Sequence, residues 1–355
     1  MGAPPRWVVA LALVAGAVAV PPGAAEVPER AHVVAPLAGP ARPAAAAAPP
    51  PLARRVRFGA YVDGATDDPA RLAAFERMVG RPVAVVSQYR GFGDLFPVPS
   101  DLALADAPGG GPRTLLFSWD MGPTRFRDWA GGRFDDYLDR VAETLRSTSA
   151  PVYVRPWPEM NGDWQTFQPT LHGDRAHGGT YAEFRAAWRH VVDRIRGAGV
   201  TNVRWVFNPT VDTYAGTTPV RRIWPGRRYV DVLGLDGFNW GQDDGWGRWR
   251  SFRATFAEQY RRLTRLDPHD PVWICEVASK EPRSDDGAPR DPRHSKAAWV
   301  RSMLAERGFA RVEALVWFQE RKERDWRINS SRGSLLALRR ALAGPAGAPS
   351  PRPRG

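Results

Sequence analysis

The feature that most constrains the fold is a regular alternation of short apolar segments with longer segments of helical spacing. The apolar segments predict strands at 55–62, 82–89, 113–119, 151–157, 203–207, 230–236, 271–278 and 312–318. Helices are predicted at 69–79, 134–146, 181–196, 251–266, 295–307 and 331–342, with a poorly defined helix after the second strand and a short irregular crossover after the fifth. Strands that are apolar on both faces belong to parallel sheets covered by helices. The sequence therefore predicts an α/β fold, and eight such strands favour a closed (β/α)8 TIM barrel forming one domain.

The segments that flank this pattern differ from it in composition. Residues 1–25 carry one charge, Arg6, before an apolar run and a small-residue exit, which predicts a signal peptide and a secreted protein. An uncleaved signal that anchors the chain to a membrane is the alternative. Residues 26–53 are an Ala/Pro-rich linker and residues 344–355 a disordered tail, which assigns 54–343 to the barrel domain. No other segment is long and apolar enough to span a membrane, so we expect no stable membrane insertion.

Charge and cysteine content limit the possible partners. The 355 residues include 50 basic and 38 acidic side chains, a net charge of +12, which raises nucleic acid or an acidic polymer as a partner. The acidic residues are interspersed and no nucleic-acid motif is present, so we expect no nucleic-acid partner. Dinucleotide and P-loop motifs are absent as well, and we expect no cofactor, no metal and a monomer. A single cysteine, Cys275, excludes an internal disulfide, so packing must hold the fold together.

Two glutamates follow strands in apolar surroundings, at the end of the barrel where TIM-barrel chemistry takes place. Glu159 follows the fourth predicted strand and Glu276 lies in the seventh. Two carboxyl groups about 5–5.5 Å apart are what a retaining glycosidase needs, one as acid/base and one as nucleophile. A structural ion pair with an arginine is the alternative for each glutamate alone. Strict alternation predicts Ile274 on the same side as Glu276, and Cys275 on the helix-facing side as a buried structural thiol.

The fifteen tryptophans also point to carbohydrate, because sugar rings stack their C–H faces on indole. Several tryptophans lie at strand ends or in the loops that follow, where amides and a guanidinium could bind sugar hydroxyls, while others are predicted to be core. The predicted substrate-binding residues are Arg155, Asn161, Trp164, Trp119, Asn208, Asp236, Asn239, Trp240 and Trp317.

Three segments resemble glycoside hydrolase family 26, a family of retaining (β/α)8 enzymes. They are RPWPEMNGDW (155–164), DVLGLDGFNW (231–240) and WICEVAS (273–279). The resemblance implies that Glu159 is the proton donor and Glu276 the nucleophile, with Arg155, Asn161 and Trp164 in the sugar site. Two positions depart from the family pattern. Pro158 replaces a histidine before the acid/base, and Phe238 stands where a tyrosine often hydrogen-bonds the nucleophile.

The resemblance implies a secreted retaining endo-β-glycosidase, with β-mannan as the family's commonest substrate. Alternatives are a hydrolase of another β-glycan (β-1,3-xylan, mixed-linkage glucan or an acidic exopolysaccharide) and a non-catalytic polysaccharide-binding barrel. A binder of nucleic acid or another anionic polymer, suggested by charge alone, is a third class.

Overall fold

The structure is a computed structural model that describes residues 49–106, 112–173, 178–241, 248–282 and 294–343. The predicted signal peptide, most of the predicted linker and the predicted tail lie outside the described residues. Leu52 and Ala53, which the sequence assigns to the linker, begin a short helix, α1 (Leu52–Arg55).

Eight parallel strands form a closed barrel in which each strand pairs with its neighbours in chain order, and the last pairs with the first. The strands are β1 (Arg57–Val62), β2 (Val85–Arg90), β3 (Thr114–Trp119), β4 (Val152–Pro156), β5 (Val203–Phe207), β6 (Val232–Asn239), β7 (Val272–Ser279) and β8 (Val312–Gln319). The predicted (β/α)8 fold is confirmed, and each observed strand begins and ends within three residues of its predicted ends.

Helices lie between the strands and after the last of them. They are α2 (Pro69–Val79), α3 (Pro99–Ala105), α4 (Phe126–Ala130), α5 (Asp135–Arg146), α6 (Tyr181–Gly197), α7 (Val220–Ile223), α8 (Phe252–Leu266), α9 (Lys296–Ala305) and α10 (Arg332–Ala343). Single 3₁₀ turns occur at Arg227–Tyr229 and Ile328–Ser330, and Pro169–Thr170 pairs with Gly179–Thr180 as a small separate sheet. The best-defined helix, α6, begins with a capping box in which Thr180 and Glu183 satisfy each other's backbone N–H groups.

Buried side chains form two distinct layers. The larger lies between the strands and the helices, and a smaller cluster fills the barrel itself. The members of this lumen cluster, drawn from β2, β3 and β5 to β8, are Val85, Leu116, Val206, Val232, Trp273, Cys275, Ala314 and Val316. The packed lumen forms a floor beneath the carboxyl ends of the strands, as in other TIM barrels.

A β-bulge interrupts β7 just before Glu276. Along β6 and β7, Leu235 pairs with Ile274, but the next pair is Asp236 with Glu276, so Cys275 is the extra residue. Cys275 belongs to the lumen cluster, whereas Ile274 packs in the outer layer. The predicted helix-facing position of Cys275 is therefore wrong, because the bulge breaks the two-residue alternation on which that prediction depended.

Within the described ranges, none of the helices combines the length and apolar character needed to cross a bilayer.

Candidate active site

Glu159 lies in a tight turn directly after β4. The backbones of Trp157 and Glu159 adopt left-handed conformations, with φ of 47° and 56°. Such a conformation costs a residue other than glycine about 1–3 kcal/mol and persists only where the surroundings enforce it. Here the N–H of Glu159 donates to the carbonyl of Asn208 at 2.8 Å, and the N–H of Gly162 donates to the carbonyl of Glu159 at 2.8 Å. The turn is thus tied to the end of β5, which fixes where the Glu159 side chain starts.

The carboxyl group of Glu159 is half-buried and has an indole as its neighbour. Trp164 Nε1–H donates to Glu159 Oε2 at 3.2 Å. Burial, followed by the negative charge of Glu276, raises the pKa of Glu159 to about 8, although the Trp164 N–H and Arg155 both act in the opposite direction. A carboxyl group with this pKa keeps its proton at neutral pH and can donate it.

Glu276 is held quite differently. The guanidinium of Arg155 and the hydroxyl of Tyr89 both donate to the same atom, Glu276 Oε1. Among the described residues, no hydrogen bond is made to Glu276 Oε2. The side chain is nearly buried, with 7 % of the residue's surface exposed. These contacts hold one oxygen of the Glu276 carboxyl group and leave the other without a donor among the described residues.

A buried network lies behind Glu276. Arg155 Nη1 donates to Asp236 Oδ2 at 2.5 Å, and Asn208 Nδ2 donates to the same oxygen at 2.7 Å. Arg155, Asn208 and Asp236 have no exposed surface. Burial would lower the pKa of Arg155, but the carboxylates of Asp236 and Glu276 raise it well above its ordinary value, so Arg155 is charged.

Asn208 connects the two glutamates. Its backbone carbonyl accepts from Glu159, and its side chain donates to Asp236, which pairs with Arg155 and so with Glu276. Three of the predicted substrate-binding residues, Arg155, Asn208 and Asp236, therefore form a chain of contacts that ends on the Glu276 carboxyl group and on the backbone of Glu159. They come together as the sequence predicts, but in a supporting position.

Two asparagines that are predicted to bind substrate, Asn161 and Asn239, instead hydrogen-bond to neighbouring loops. Asn161 accepts from the N–H of Thr210 at 2.7 Å and donates to the Thr210 carbonyl at 3.2 Å, which joins the loops after β4 and β5. Asn239 donates to Ser279 Oγ at 2.9 Å and accepts from the N–H of Arg250 at 2.9 Å. Both amides are fully buried, so they shape the site without facing solvent.

The four tryptophans that are predicted to bind substrate differ in exposure and form two pairs. Trp164 is 48 % exposed beside Glu159. Trp240 is half-buried at the rim, where its ring meets that of Trp326 edge-on at 4.9 Å. Trp119 and Trp317, by contrast, have no exposed surface and lie in the outer layer.

Trp119 and Trp317 are thus not brought to the site. Trp119 Nε1–H donates to the hydroxyl of Tyr137 at 3.1 Å, and the Lys296 ammonium lies 5.7 Å from the centre of the Trp317 ring. Alternation along a strand explains their position, since Val316, next to Trp317, is the residue that faces the lumen. Neither indole can stack on a sugar.

Sequence reasoning missed Tyr89. None of the predicted site residues lies on β2, but Tyr89 is in phase with Val85, which lies in the lumen. The two-residue alternation along β2 could therefore have predicted that the Tyr89 side chain faces the lumen. Phe238, the other aromatic side chain of interest, packs on Phe318 and Trp326, with ring centres 5.5 and 4.9 Å away.

Comparison with known proteins gives concordant results. Residues 127–272 match the family model described as glycosyl hydrolase family 26. Endoglucanase H of Acetivibrio thermocellus is 32 % identical over 290 residues, which cover 81 % of this chain and 30 % of that protein. A beta-1,3-xylanase from a Vibrio species is 28 % identical over 54 % of this chain and 39 % of its own length. The chain thus spans well under half the length of either relative.

Solved structures show the same fold. A modular endo-beta-1,4-mannanase from Cellulomonas fimi superposes with a TM-score of 0.57 at 20 % sequence identity, covering 82 % of this chain and 71 % of the mannanase.

Proposed function

The chain belongs to glycosyl hydrolase family 26, and from this premise we propose that it is a retaining endo-β-glycosidase. Glu159 is the acid/base and Glu276 the nucleophile. The observation that carries the proposal is the unequal environment of the two carboxyl groups. The charge of Glu276 helps to keep Glu159 protonated, while Arg155 and Tyr89 bind Glu276 as a carboxylate. An acid with a raised pKa beside a second carboxyl group that is held by a cation is the arrangement that a retaining glycosidase needs.

The reaction takes place in two steps. Glu276 attacks the anomeric carbon and forms a glycosyl ester, while Glu159 gives its proton to the glycosidic oxygen and the leaving chain departs as an alcohol. Glu159, now a carboxylate, then takes a proton from water as that water attacks the same carbon. The ester breaks, Glu276 is released as a carboxylate and the sugar keeps its β configuration.

The remaining site residues support these steps in different ways. Trp164 donates to Glu159 and is half exposed, which suits a ring that lies beside the leaving sugar. Trp240 stands at the rim, where an indole can stack on a more distant sugar. Arg155, Asn208 and Asp236 orient Glu276, and Asn161 and Asn239 hold the loops around the cleft.

For the polysaccharide we propose β-1,4-mannan as the first candidate and β-glucan as the second. The mannan proposal draws on relatives named mannan endo-1,4-beta-mannosidase, one of them 29 % identical over 44 % of this chain. The β-glucan proposal draws on the endoglucanase that aligns with 81 % of the chain. Since only 30 % of that endoglucanase is aligned, its name alone does not assign the substrate.

The test is hydrolysis by the pure protein of mannan, mixed-linkage β-glucan, β-1,3-xylan and an acidic polysaccharide. Reducing ends are counted and the anomer first formed is read by proton NMR. We expect release of oligosaccharides with β configuration from one of the β-1,4-linked polymers. Binding to an insoluble glycan with no new reducing ends would instead identify a non-catalytic binding barrel. A first product of α configuration would refute the retaining mechanism.

We further propose that the protein acts as a monomer outside the cell, because residues 1–25 have the pattern of an export signal. Amino-terminal sequencing of protein recovered from culture medium distinguishes a cleaved signal from an anchor.

A further inference from the structure

We propose that Tyr89 is a positioning residue that, together with Arg155, holds Glu276 Oε1 and leaves Oε2 as the attacking oxygen. This inference rests on the proposed function, because it specifies which atom of the nucleophile reacts. Tyr89 is not among the site residues that the sequence predicts.

The contact geometry is the first support. Two donors from different strands, Tyr89 on β2 and Arg155 on β4, converge on one carboxylate oxygen. Were Arg155 the only donor, the carboxylate could rotate about its last bond and exchange its two oxygens. A second donor from another direction fixes which oxygen is bound. The oxygen without a donor keeps its lone pairs for the anomeric carbon.

The second support is that Tyr89 itself is clamped. The ring of Tyr61 meets the ring of Tyr89 edge-on, with centres 4.9 Å apart and planes at 88°. The Arg155 guanidinium also lies 5.8 Å from the centre of the Tyr89 ring. A phenol held by a ring and a cation has little rotational freedom, so its hydroxyl defines a fixed direction for the hydrogen bond.

The third support is the protonation state of the phenol. Tyr89 as a residue is 38 % exposed, but its hydroxyl lies against Glu276. Loss of solvent at that hydroxyl and the negative charge of Glu276 raise the pKa of Tyr89 well above its ordinary value, so the hydroxyl keeps its proton and acts as donor. Phe238, on the strand next to β7, has no hydroxyl and packs on Phe318 and Trp326. The hydroxyl on Glu276 therefore comes from β2.

The experiment compares Tyr89→Phe with Tyr153→Phe, each of which removes one phenolic hydroxyl. Tyr153 stacks on Trp273 of the lumen cluster, at 4.1 Å between ring centres, and makes no contact with either glutamate among the described residues. We expect Tyr89→Phe to lower kcat by roughly 10²-fold with KM within about threefold, as for loss of one preorganised donor. The fall should be similar on the polysaccharide and on an aryl glycoside with a good leaving group, because both need the nucleophile. Tyr153→Phe should keep kcat within about twofold.

A second measurement does not depend on turnover. In crystal structures of the wild type and of Tyr89→Phe, we expect the Glu276 carboxylate in one orientation in the wild type and in two orientations, or rotated, in the variant. An unchanged Glu276 in folded Tyr89→Phe would overturn the proposal, even if the protein hydrolyses nothing. Unchanged kcat in Tyr89→Phe would overturn it as well. If the wild type lacks hydrolase activity but Glu276 rotates in the variant, only the proposed function fails.

Discussion

The carboxyl groups of Glu159 and Glu276 differ in the backbone that carries them and in the donors that bind them. Glu159 stands on a strained turn in which two residues other than glycine have positive φ, and its carboxyl group receives one neutral donor, Trp164. Glu276 stands in a strand that carries a bulge, and its carboxyl group receives a cationic donor and a phenolic donor. In the first case the backbone is unusual and the electrostatic support is weak. In the second case the electrostatic support is strong and the backbone remains that of a strand, apart from the bulge at Cys275.

This difference teaches how one scaffold can give two identical side chains different environments, as the proposed acid/base and nucleophile require. A carboxyl group that must lose and regain a proton needs few donors, because each donor would favour its charged form. A carboxylate that must attack carbon needs donors that keep it charged and in one place. Variants of the two positions should therefore fail in different ways.

The largest effect is expected at Glu276, the proposed nucleophile. Glu276→Ala should lower kcat by about 10⁴-fold or more on every substrate, because no covalent intermediate can form. Azide should then fill the space and attack directly, so the product is an α-glycosyl azide detectable by NMR. Circular dichroism of the variant serves as the folding control. Activity above one tenth of the wild type would rule out Glu276 as the nucleophile.

Glu159→Ala should have a smaller effect that depends on the substrate. We expect kcat/KM on the polysaccharide to fall about 10³-fold, as for loss of a general acid. On a dinitrophenyl glycoside the first step needs no proton, so azide should restore turnover and yield a β-glycosyl azide. Opposite anomers from the two variants would confirm the assignment of roles. The same anomer from both would contradict it.

The buried support of Glu276 should appear in stability. Arg155→Met leaves Asp236 without a cation at a site with no exposed surface, which costs about 3–5 kcal/mol of unfolding free energy. Urea denaturation measures this cost. Arg194→Ala, which removes a partly exposed partner of Asp135 and Asp139, is the surface control and should cost far less. Equal costs for the two variants would show that the interior pair has no special role.

The smallest effects concern pH. Because Glu159 must carry a proton to act as the acid, and its pKa is raised to about 8, activity should fall as pH rises through about 8. The Trp164 N–H favours the charged form, so Trp164→Phe should move this limb to higher pH. The charge of Asp212 favours the neutral form, so Asp212→Asn should move it to lower pH, each by a fraction of a unit. Profiles of kcat/KM against pH check both signs, and shifts in the same direction would contradict the assignment.

Much of the fold could be predicted from local pattern. Strands such as Val203–Phe207 and helices such as Pro69–Val79 have the predicted bounds, because apolar runs and caps are local signals. The helix after β2, Pro99–Ala105, was poorly defined in sequence because it is short and follows a long loop. In the crossover after β5, Val220–Ile223 is a single helical turn, which leaves no periodicity to detect.

The site was less predictable, for physical reasons. Glu159 and Glu276 could be selected because each lies in an apolar context after a strand. Trp119 and Trp317 were selected by position alone, but the phase of each strand decides whether a ring reaches the lumen or the helices. The contact of Tyr89 with Glu276 joins residues 187 apart in sequence, and only closure of the barrel creates it.

The bulge in β7 has a practical consequence. The only thiol of the chain, that of Cys275, lies in the lumen cluster directly before Glu276 and has no exposed surface. Burial raises the pKa of Cys275, and only the thiolate attacks alkylating reagents, so the folded barrel protects this sulfur both by excluding the reagent and by keeping the thiol protonated. The rate at which a reagent such as iodoacetamide labels Cys275 therefore reports how often the barrel opens locally at β7. Because the protein has a single thiol at this position, labelling of Cys275 is a built-in probe of local opening beside Glu276.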